Sequence, residues 1–174
     1  HIQRGDVYEV TYCQEYYGRG SIDPCQVYLS LGAYSPAPFS CFYRQEDHYL
    51  ICSSPERFLS KSGNKVISQP IKGTRGRGKT KDEDQLMRKE LQHDVKEQSE
   101  NVMIVDLVRN DLSRSAREGS VSVEELFGIY TFPQVHQMIS TVSAEIDPED
   151  YLRCIRDAFP MGSMTGAPKV RAME

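Results

Sequence analysis

The 174-residue sequence lacks the hallmarks of several protein classes. No apolar run approaches the roughly 18 residues of a membrane-spanning helix, and no signal-peptide pattern opens the chain. The net charge is -4, whereas nucleic-acid-binding domains usually carry clustered positive charge. The basic cluster between residues 72 and 81 is local and contains no aromatic residue. We therefore predict a cytoplasmic protein that binds neither membranes nor nucleic acids.

Paired cysteines are also missing. The five cysteines are an odd number, and no Cys-x-x-Cys pair occurs among them. This pattern indicates neither a disulfide framework nor a zinc site. We predict that the cysteines are reduced and mostly buried, as small residues of a cytosolic protein.

What remains is the composition of a globular protein, with 39% hydrophobic and 26% charged residues. The length suits one domain or a large part of one. The chain begins without methionine and stops inside an apparent helix, so we expect a piece truncated at both ends.

Hydrophobic patterns predict clustered strands and helices. The predicted strands cover residues 7–12, 39–44, 49–52, 58–61, 65–68, 119–123 and 136–146. The predicted helices cover residues 25–31, 82–112 as one long helix, and 147–159 with Asp147 as its N-cap. Residues 124–130 are ambiguous. Because the elements do not alternate strictly, we predict an α+β fold with an antiparallel or mixed sheet.

Residues 70–78 form the most informative stretch, which we treat as a loop shaped by proline and glycine. Lys72 stands there between an apolar residue and Gly73. The segment from Gly73 to Thr80 also matches the G-x-x-x-x-G-K-[ST] pattern of phosphate-binding loops. The stretch thus allows two hypotheses, a nucleotide-binding loop with Lys79 on the terminal phosphate or a site with a reactive lysine at Lys72.

Three features argue against the nucleotide-binding hypothesis. Asp106, which would hold magnesium at the end of a strand, lies in an uninterrupted helical pattern. Pro70 stands where a buried parallel strand should run. Three acidic residues at the start of the next helix would lie close to the bound phosphates.

Four stretches together resemble the chorismate-utilising enzymes. They are SPERF at 54–58, PIKGTR at 70–75, EQSENVMIVDLVRND at 97–111 and GSMTGAPKVRAME at 162–174. Their order and spacing match along essentially the whole chain. The resemblance implies an α+β fold, a large β-sandwich with helices, of which residues 1–174 are the central part of a single catalytic domain.

Within this family, the chain most resembles the aminodeoxychorismate-forming enzymes, since relatives typically carry alanine in place of Lys72. The resemblance implies that the Lys72 amine attacks chorismate at C2 while the hydroxyl leaves from C4. Ammonia then adds at C4 and expels the lysine. Glu56 would be the general acid that protonates the departing hydroxyl. The attack requires a neutral amine, which the nearby cations Arg75 and Arg77 would favour.

The resemblance also implies a substrate site, a metal and a partner. Its substrate contacts would be Thr74, Gly73, Ser163, Thr165 and Gly166. Mg²⁺ would bind Glu100 directly, with Glu97 supporting it from the same helix face. The ammonia would come from a glutamine amidotransferase subunit, because nothing in this chain resembles a glutaminase.

Two positions depart from the family, and three alternatives stay open. Glu9 occupies the position of the water-activating lysine of isochorismate-forming enzymes, which disfavours that reaction. It also departs from the glutamine that anthranilate- and aminodeoxychorismate-forming enzymes usually carry there. Gln137 replaces the catalytic histidine of anthranilate-forming enzymes, and we expect the adjacent His136 to be an ordinary strand residue. The alternatives are an anthranilate-forming enzyme, a nucleotide-binding module and an inactive fragment.

Overall fold

The fold is that of a computed structural model covering residues 1–174. In chain order the strands and helices are β1 (Glu9–Val10), α1 (Pro24–Tyr34), β2 (Phe39–Gln45), β3 (His48–Ser54), β4 (Arg57–Ser62), β5 (Lys65–Gln69), β6 (Ile71–Gly76), α2 (Lys81–His93), α3 (Val95–Ser113), β7 (Ser122–Thr131), β8 (Val135–Glu145), α4 (Tyr151–Ala158), β9 (Gly166–Ala167) and α5 (Lys169–Met173). Short 3₁₀ turns lie at Ile2–Arg4, Pro148–Asp150 and Gly162–Met164. The chain divides into two units, one made of residues 1–13 and 58–174 and the other of residues 14–57.

A five-stranded antiparallel sheet centred on β8 dominates the first unit. Strands β5 and β6 pair with opposite ends of β8, and β7 pairs along most of its length. All side chains from His136 to Ala144 are buried, so both faces of β8 are covered. The β-branched and small residues of this strand suit such a position. The α+β prediction is therefore confirmed, with an antiparallel sheet.

Helix α3 packs against this sheet and supplies four of the nine residues of the main core. Its apolar residues recur at helical spacing, so they share one buried face. The core cluster consists of Val66, Ile104, Val105, Val108, Leu112, Val142, Ala144, Ile146 and Cys154. Fully burying a side chain of this size contributes roughly 1.5–3 kcal/mol, so this face fixes α3 against the strands that carry the site.

The second unit is smaller and follows its sequence pattern closely. Asp23 caps α1 by accepting hydrogen bonds from the backbone N–H groups of Cys25 and Gln26. Strands β2 and β3 form the predicted antiparallel pair. The ring of Tyr28 on α1 lies 5.6 Å from that of Phe42 on β2, so aromatic packing joins the helix to the hairpin.

The long helix predicted over residues 82–112 is interrupted at Asp94. This residue has an extended backbone, with ψ of 105°, and ends α2. Its side chain accepts hydrogen bonds from the N–H groups of Lys96 and Glu97, which makes it the N-cap of α3. An aspartate inside a helical pattern can satisfy the first N–H groups of a new helix, and this local bonding ends the first helix without glycine or proline.

Other boundaries also need correction. Residues 71–76, which we treated as part of a loop, form strand β6. Predicted strand 7–12 shortens to the two residues of β1, and the ambiguous residues 124–130 belong to β7. Asp147 does not cap the following helix, because its carboxylate accepts a 2.8 Å hydrogen bond from Arg117 instead. The hairpin of β4 and β5 is confirmed.

The structure corrects the prediction for the cysteines. All five cysteines are free thiols, but Cys13, Cys25 and Cys41 are exposed and only Cys154 is buried. The prediction that they are mostly buried is wrong.

None of the helices combines the length and the apolar character needed to cross a membrane.

Candidate active site

Lys72 on β6 lies in direct contact with Glu9 on β1. The Lys72 ammonium donates a short hydrogen bond to Glu9 Oε1, and the two side chains are only 18% and 15% exposed. The second carboxylate oxygen, Glu9 Oε2, is buried and has no hydrogen-bond partner. The pair is therefore largely removed from water, with one buried acceptor oxygen unused.

Strand β9 and Gly166 determine where Glu9 lies. Glu9 pairs with Ala167 in the antiparallel β1–β9 ladder, and the adjacent Tyr8 N–H donates to the Ala167 carbonyl over 2.7 Å. Gly166 has a φ of 150°, and a Cβ there would lie 2.2 Å from the Glu9 carbonyl oxygen. Glycine is thus required at this position for β1 to approach β9. Gly166 shapes the site through the backbone of Glu9.

The loop before β9 offers one unused hydroxyl. Ser163 is buried, and its Oγ has no hydrogen-bond partner. The Ser163 carbonyl is used, because Thr11 Oγ1 donates to it over 3.0 Å. By contrast, the Thr165 hydroxyl lies 3.3 and 3.2 Å from the carbonyls of Met161 and Gly162, respectively. Of the two predicted hydroxyl contacts in this loop, Ser163 retains its full bonding capacity, whereas Thr165 is engaged in turn chemistry.

Gly73 brings a carboxylate next to the strand that carries Lys72. Its φ is 97°, and a Cβ there would lie 3.1 Å from Leu91 Cδ1, 3.2 Å from Glu97 Cβ and 3.3 Å from Glu97 Oε2. A side chain at this position would crowd both helices that pack on β6. Thr74 follows on the strand, is exposed and pairs with Gln137 of β8.

The predicted metal pair, Glu97 and Glu100, lies on α3. Glu97 Oε1 is 3.8 Å from Arg75 Nη1, and Glu100 Oε1 is 2.9 Å from Lys96 Nζ. The hydrogen bond with Glu100 raises the pKa of Lys96. No group of three or more His, Cys, Asp or Glu side chains could hold a metal ion by itself. Two carboxylates on one helix face nevertheless fit Mg²⁺, which typically takes one or two carboxylates and completes its shell with water and substrate oxygens.

Arg75 and Arg77, the two arginines that follow Lys72 in the sequence, both form ion pairs with carboxylates. Arg75 Nη2 is 2.6 Å from Asp94 Oδ2, and Arg77 Nε and Nη2 bind both oxygens of Asp84 at 2.7 and 2.8 Å. The Arg77 hydrogen bond holds the pKa of Asp84 well below its usual range, with further help from the Gly78 N–H and His136 and against the opposing effect of burial. The expected role of these cations beside Lys72 is therefore not supported by the contacts that they make.

His136 is more than an ordinary strand residue. It is 1% exposed, with Nε2 3.0 Å from Asp84 Oδ1 and Nδ1 2.9 Å from Thr131 Oγ1. Both ring nitrogens are thus engaged, and the ring links β8 to β7 and to the start of α2. The prediction for His136 missed this network.

The geometry contradicts the nucleotide-binding hypothesis. The Gly78 N–H donates to Asp84 Oδ1 over 2.9 Å, and the Lys79 N–H donates to Glu83 Oε2 over 2.7 Å. Carboxylates thus occupy backbone donors that would have to face phosphates. Asp106 lies exposed on α3 instead of ending a strand.

The predicted acid Glu56 belongs to the second unit. It is partly buried, and its N–H lies 3.3 Å from Ser54 Oγ. The Ser54 hydroxyl in turn lies 3.2 Å from the Glu56 carbonyl. These local bonds hold the turn between β3 and β4, and the role of Glu56 as a general acid stays a prediction.

A buried ion pair missed by sequence reasoning anchors the loop over residues 159–168. Lys169 Nζ is 2.7 Å from Asp111 Oδ2 and donates to the Ala158 carbonyl over 3.0 Å. The two side chains are 7% and 6% exposed. Burial raises the pKa of Asp111, and Lys169 opposes this shift. The pair ties the start of α5 to α3 and to the end of α4, so it holds both ends of the loop that carries Ser163.

Comparison with known proteins agrees with the family resemblance of the sequence motifs. The sequence profile described as chorismate binding enzyme matches residues 1–174. The chain is 42% identical, over its whole length, to aminodeoxychorismate synthase component 1 of Bacillus subtilis and of Escherichia coli, and it spans 37% and 39% of those proteins. It is 40% identical to anthranilate synthase component 1 of Haloferax volcanii, over the whole chain and 33% of that protein.

Solved structures show the same fold. Anthranilate synthase component I from Streptococcus pneumoniae superposes with a TM-score of 0.76 at 31% identity, over 88% of this chain and 34% of that one. An isochorismate synthase from Bacillus anthracis, a relative in fold, gives a TM-score of 0.71 at 23% identity over 88% of this chain and 42% of that one. The chain therefore spans less than half the length of the proteins that it matches.

Proposed function

Since the chain belongs to the chorismate-binding enzyme family, we propose that it converts chorismate and ammonia to 4-amino-4-deoxychorismate with Lys72 as the nucleophile. The observation that carries this proposal is the position of Lys72. It lies on a strand, mostly shielded from water, in contact with Glu9 and beside Gly73. A solvated surface lysine would have no such environment. The identity to two proteins named aminodeoxychorismate synthase component 1 supports the same reaction.

The proposed reaction splits one difficult substitution into two displacements. The neutral Lys72 amine forms a bond to C2 of the ring, the ring double bond shifts, and the C4–O bond breaks. The hydroxyl leaves as water with a proton from a general acid, the role that the family resemblance gives to Glu56. Ammonia then attacks C4, the double bond returns, and the electrons of the C2–N bond go back to Lys72. The new ammonium group at C4 loses one proton, which restores the general acid. The net change is chorismate plus ammonia to 4-amino-4-deoxychorismate plus water.

Contacts within the first unit suggest how the substrate would be held. Ser163 offers a buried hydroxyl without a partner, which can donate to a substrate carboxylate. Thr74 presents an exposed hydroxyl beside Gly73 on β6, Thr165 closes the turn that carries Ser163, and Gly166 lets β1 approach β9. Glu100, supported by Glu97, would hold a Mg²⁺ ion. When bound, this ion would neutralise a carboxylate of the substrate dianion.

The source of ammonia and the pathway are part of the same proposal. Two of the similar proteins are named as component 1 of a synthase. We infer that a glutamine amidotransferase subunit supplies ammonia to the protein that contains this chain. The product would then enter the 4-aminobenzoate branch of folate synthesis.

Anthranilate formation is the second candidate, since the chain is 40% identical to an anthranilate synthase component. One structural observation weighs against it. Gln137 stands where the family resemblance places the catalytic histidine, and the neighbouring His136 is buried with both nitrogens bonded to Asp84 and Thr131. His136 therefore has no free nitrogen with which to replace that histidine.

Product analysis tests the proposal. The native protein containing this chain is incubated with chorismate, ammonium and Mg²⁺, and the product is identified by mass spectrometry. We expect a product in which an amino group replaces the chorismate hydroxyl, and anthranilate as the product would refute the assignment. Lys72→Ala should abolish turnover. Lys79→Ala is the matched control, because Lys79 is an exposed lysine of the same segment, and its contact with Glu83 is made by the backbone N–H, which the variant keeps.

A further inference from the structure

We propose that Cys41 and Cys52 form a reversible redox site, at which a low-molecular-weight disulfide oxidises the two thiols to a disulfide bond between β2 and β3. Both residues are free thiols in the structure, with Cys41 exposed and Cys52 partly buried. They belong to the second unit and take no part in the proposed amination. The redox chemistry can therefore be tested whether or not chorismate is the substrate.

The strand register places the two cysteines directly opposite each other. Strands β2 and β3 are antiparallel, and Cys41 is the register partner of Cys52, next to the pair of Phe42 and Ile51. Directly opposite side chains lie on the same face of an antiparallel pair. Their Cα atoms are typically about 4.5–5.5 Å apart, within the roughly 4.4–6.8 Å that disulfides span. The bond can therefore form without a change of register.

Both thiols lie on the face of the hairpin that points away from α1. Successive side chains of a strand point to opposite faces, and the ring of Phe42, the residue after Cys41, packs 5.6 Å from that of Tyr28 on α1. The Cys52 thiol donates a hydrogen bond to the Phe39 carbonyl of β2 over 3.6 Å. This contact directs the Cys52 sulfur towards the strand that carries Cys41.

The other three cysteines differ from this pair in their place in the fold. Cys25 and Cys154 lie in helices, and Cys13 lies outside the strands, so none of them has a cross-strand partner. Cys13 and Cys25 are nevertheless exposed, like Cys41. What distinguishes Cys41 is thus the second thiol opposite it, and not its exposure to solvent.

Two exchange steps form the bond. The exposed Cys41 thiolate attacks one sulfur of glutathione disulfide, which releases one glutathione and leaves a mixed disulfide on Cys41. The Cys52 thiolate then attacks the Cys41 sulfur, the mixed disulfide breaks, and the second glutathione leaves. The cysteines lose two electrons, glutathione disulfide gains them, and the two thiol protons pass by way of solvent to the released glutathione molecules.

Reduction by thiols reverses the reaction. Exposed disulfides are among those that are labile to reduction, and Cys41 keeps one side of this bond open to solvent. Disulfides in reducing compartments are usually transient and sense the redox state. While it persists, the bond fixes the register of β2 against β3.

The test follows each thiol of the native protein that contains this chain. The reduced protein is incubated with an excess of glutathione disulfide for about an hour, and its remaining thiols are then labelled with N-ethylmaleimide in denaturant. Trypsin cleaves after Arg44 and Arg57, which places Cys41 and Cys52 in separate peptides. We expect most molecules to yield these peptides joined, two hydrogen atoms lighter than their sum. Dithiothreitol should return the label to both cysteines.

Cys25 is the internal control, because it is exposed and shares the tryptic peptide 20–44 with Cys41. Fragmentation of this peptide should find Cys25 labelled or bound to glutathione, but not joined to Cys52. In Cys52→Ser the second exchange step is lost, so the glutathione bound to Cys41 should rise at least about tenfold. The matched variant Cys25→Ser should form the bond between Cys41 and Cys52 as the unmutated protein does.

The outcomes are distinct from those for the proposed function. Joint loss of label from Cys41 and Cys52, reversed by dithiothreitol, confirms the redox site. It is refuted if both cysteines stay labelled to the same extent as Cys25, if each binds glutathione without being joined, or if Cys52 is joined to Cys25 in the folded protein. None of these results depends on the product formed from chorismate, so either proposal can fail while the other stands.

Discussion

Replacing Lys169 by methionine should strongly destabilise the first unit. The change leaves the Asp111 carboxylate buried without its counter-ion, since Lys169 Nζ lies 2.7 Å from Asp111 Oδ2 and both side chains are at least nine-tenths buried. Breaking a buried pair by removing one partner typically costs about 3–5 kcal/mol, because an uncompensated charge remains. Lys169 also donates to the Ala158 carbonyl, so a second buried acceptor loses its donor.

Urea unfolding followed by circular dichroism measures this effect. With a urea dependence of about 2 kcal/mol per molar, a loss of about 4 kcal/mol lowers the unfolding midpoint by about 2 M. The double variant Lys169→Met/Asp111→Leu should recover most of this loss, because apolar residues of similar volume often replace a buried pair without cost. Such recovery would show that the stranded charge, and not lost packing, causes the effect.

A matched control is the exposed ion pair on α3, the helix that carries Asp111. Arg109 Nη1 is 3.0 Å from Asp106 Oδ1, but these side chains are 51% and 75% exposed. An exposed pair contributes about 1 kcal/mol or less, so Arg109→Gln should shift the midpoint by no more than about 0.5 M at the same urea dependence. If Lys169→Met unfolds at the same urea concentration as Arg109→Gln, the reasoning about the buried pair is wrong.

Three further predictions concern the site. Gly166→Ala should separate β1 from β9, because its Cβ would lie 2.2 Å from the Glu9 carbonyl. We expect kcat to fall at least tenfold, and an unchanged kcat would contradict this role. Asp84→Asn should remove a stability contribution that is present above about pH 4, the ordinary aspartate pKa. That contribution is lost as the pH falls through the depressed folded-state pKa of Asp84, so variant and parent urea midpoints should differ at neutral pH and converge in acid. Glu100→Gln should raise the Mg²⁺ concentration needed for half-maximal activity at least tenfold, and an unchanged requirement would exclude this glutamate as a ligand.

Local sequence patterns predicted most of the strands and helices, because these elements depend on the preferences of residues that are close in sequence. The alternating and β-branched residues of β8 and the apolar face of α3 predicted elements that the structure contains. Two of the misplaced boundaries lie where an aspartate side chain has alternative hydrogen-bond partners. Asp94 was expected inside a helix but caps a new one, and Asp147 was expected to cap a helix but binds Arg117. A pattern of hydrophobic residues carries no information on such choices.

The candidate site likewise has parts that the sequence predicted and parts that it did not. The sequence by itself was enough to determine the family, the position of Lys72 as a candidate nucleophile and the helix face that carries Glu97 and Glu100. These inferences need only residue types at short spacing or motifs in a fixed order. The sequence also marked Glu9 as a departure from the family, but without assigning it a partner.

Only the tertiary structure decided what surrounds Lys72. Glu9 stands 63 positions away in the sequence, and the two meet because the β1–β9 ladder, made possible by Gly166, places Glu9 beside β6. The same holds for the unpartnered Ser163 hydroxyl and for the carboxylates that occupy Arg75 and Arg77. Burial and hydrogen-bond satisfaction depend on every element that packs around a group. They are therefore decided only when the whole unit is folded.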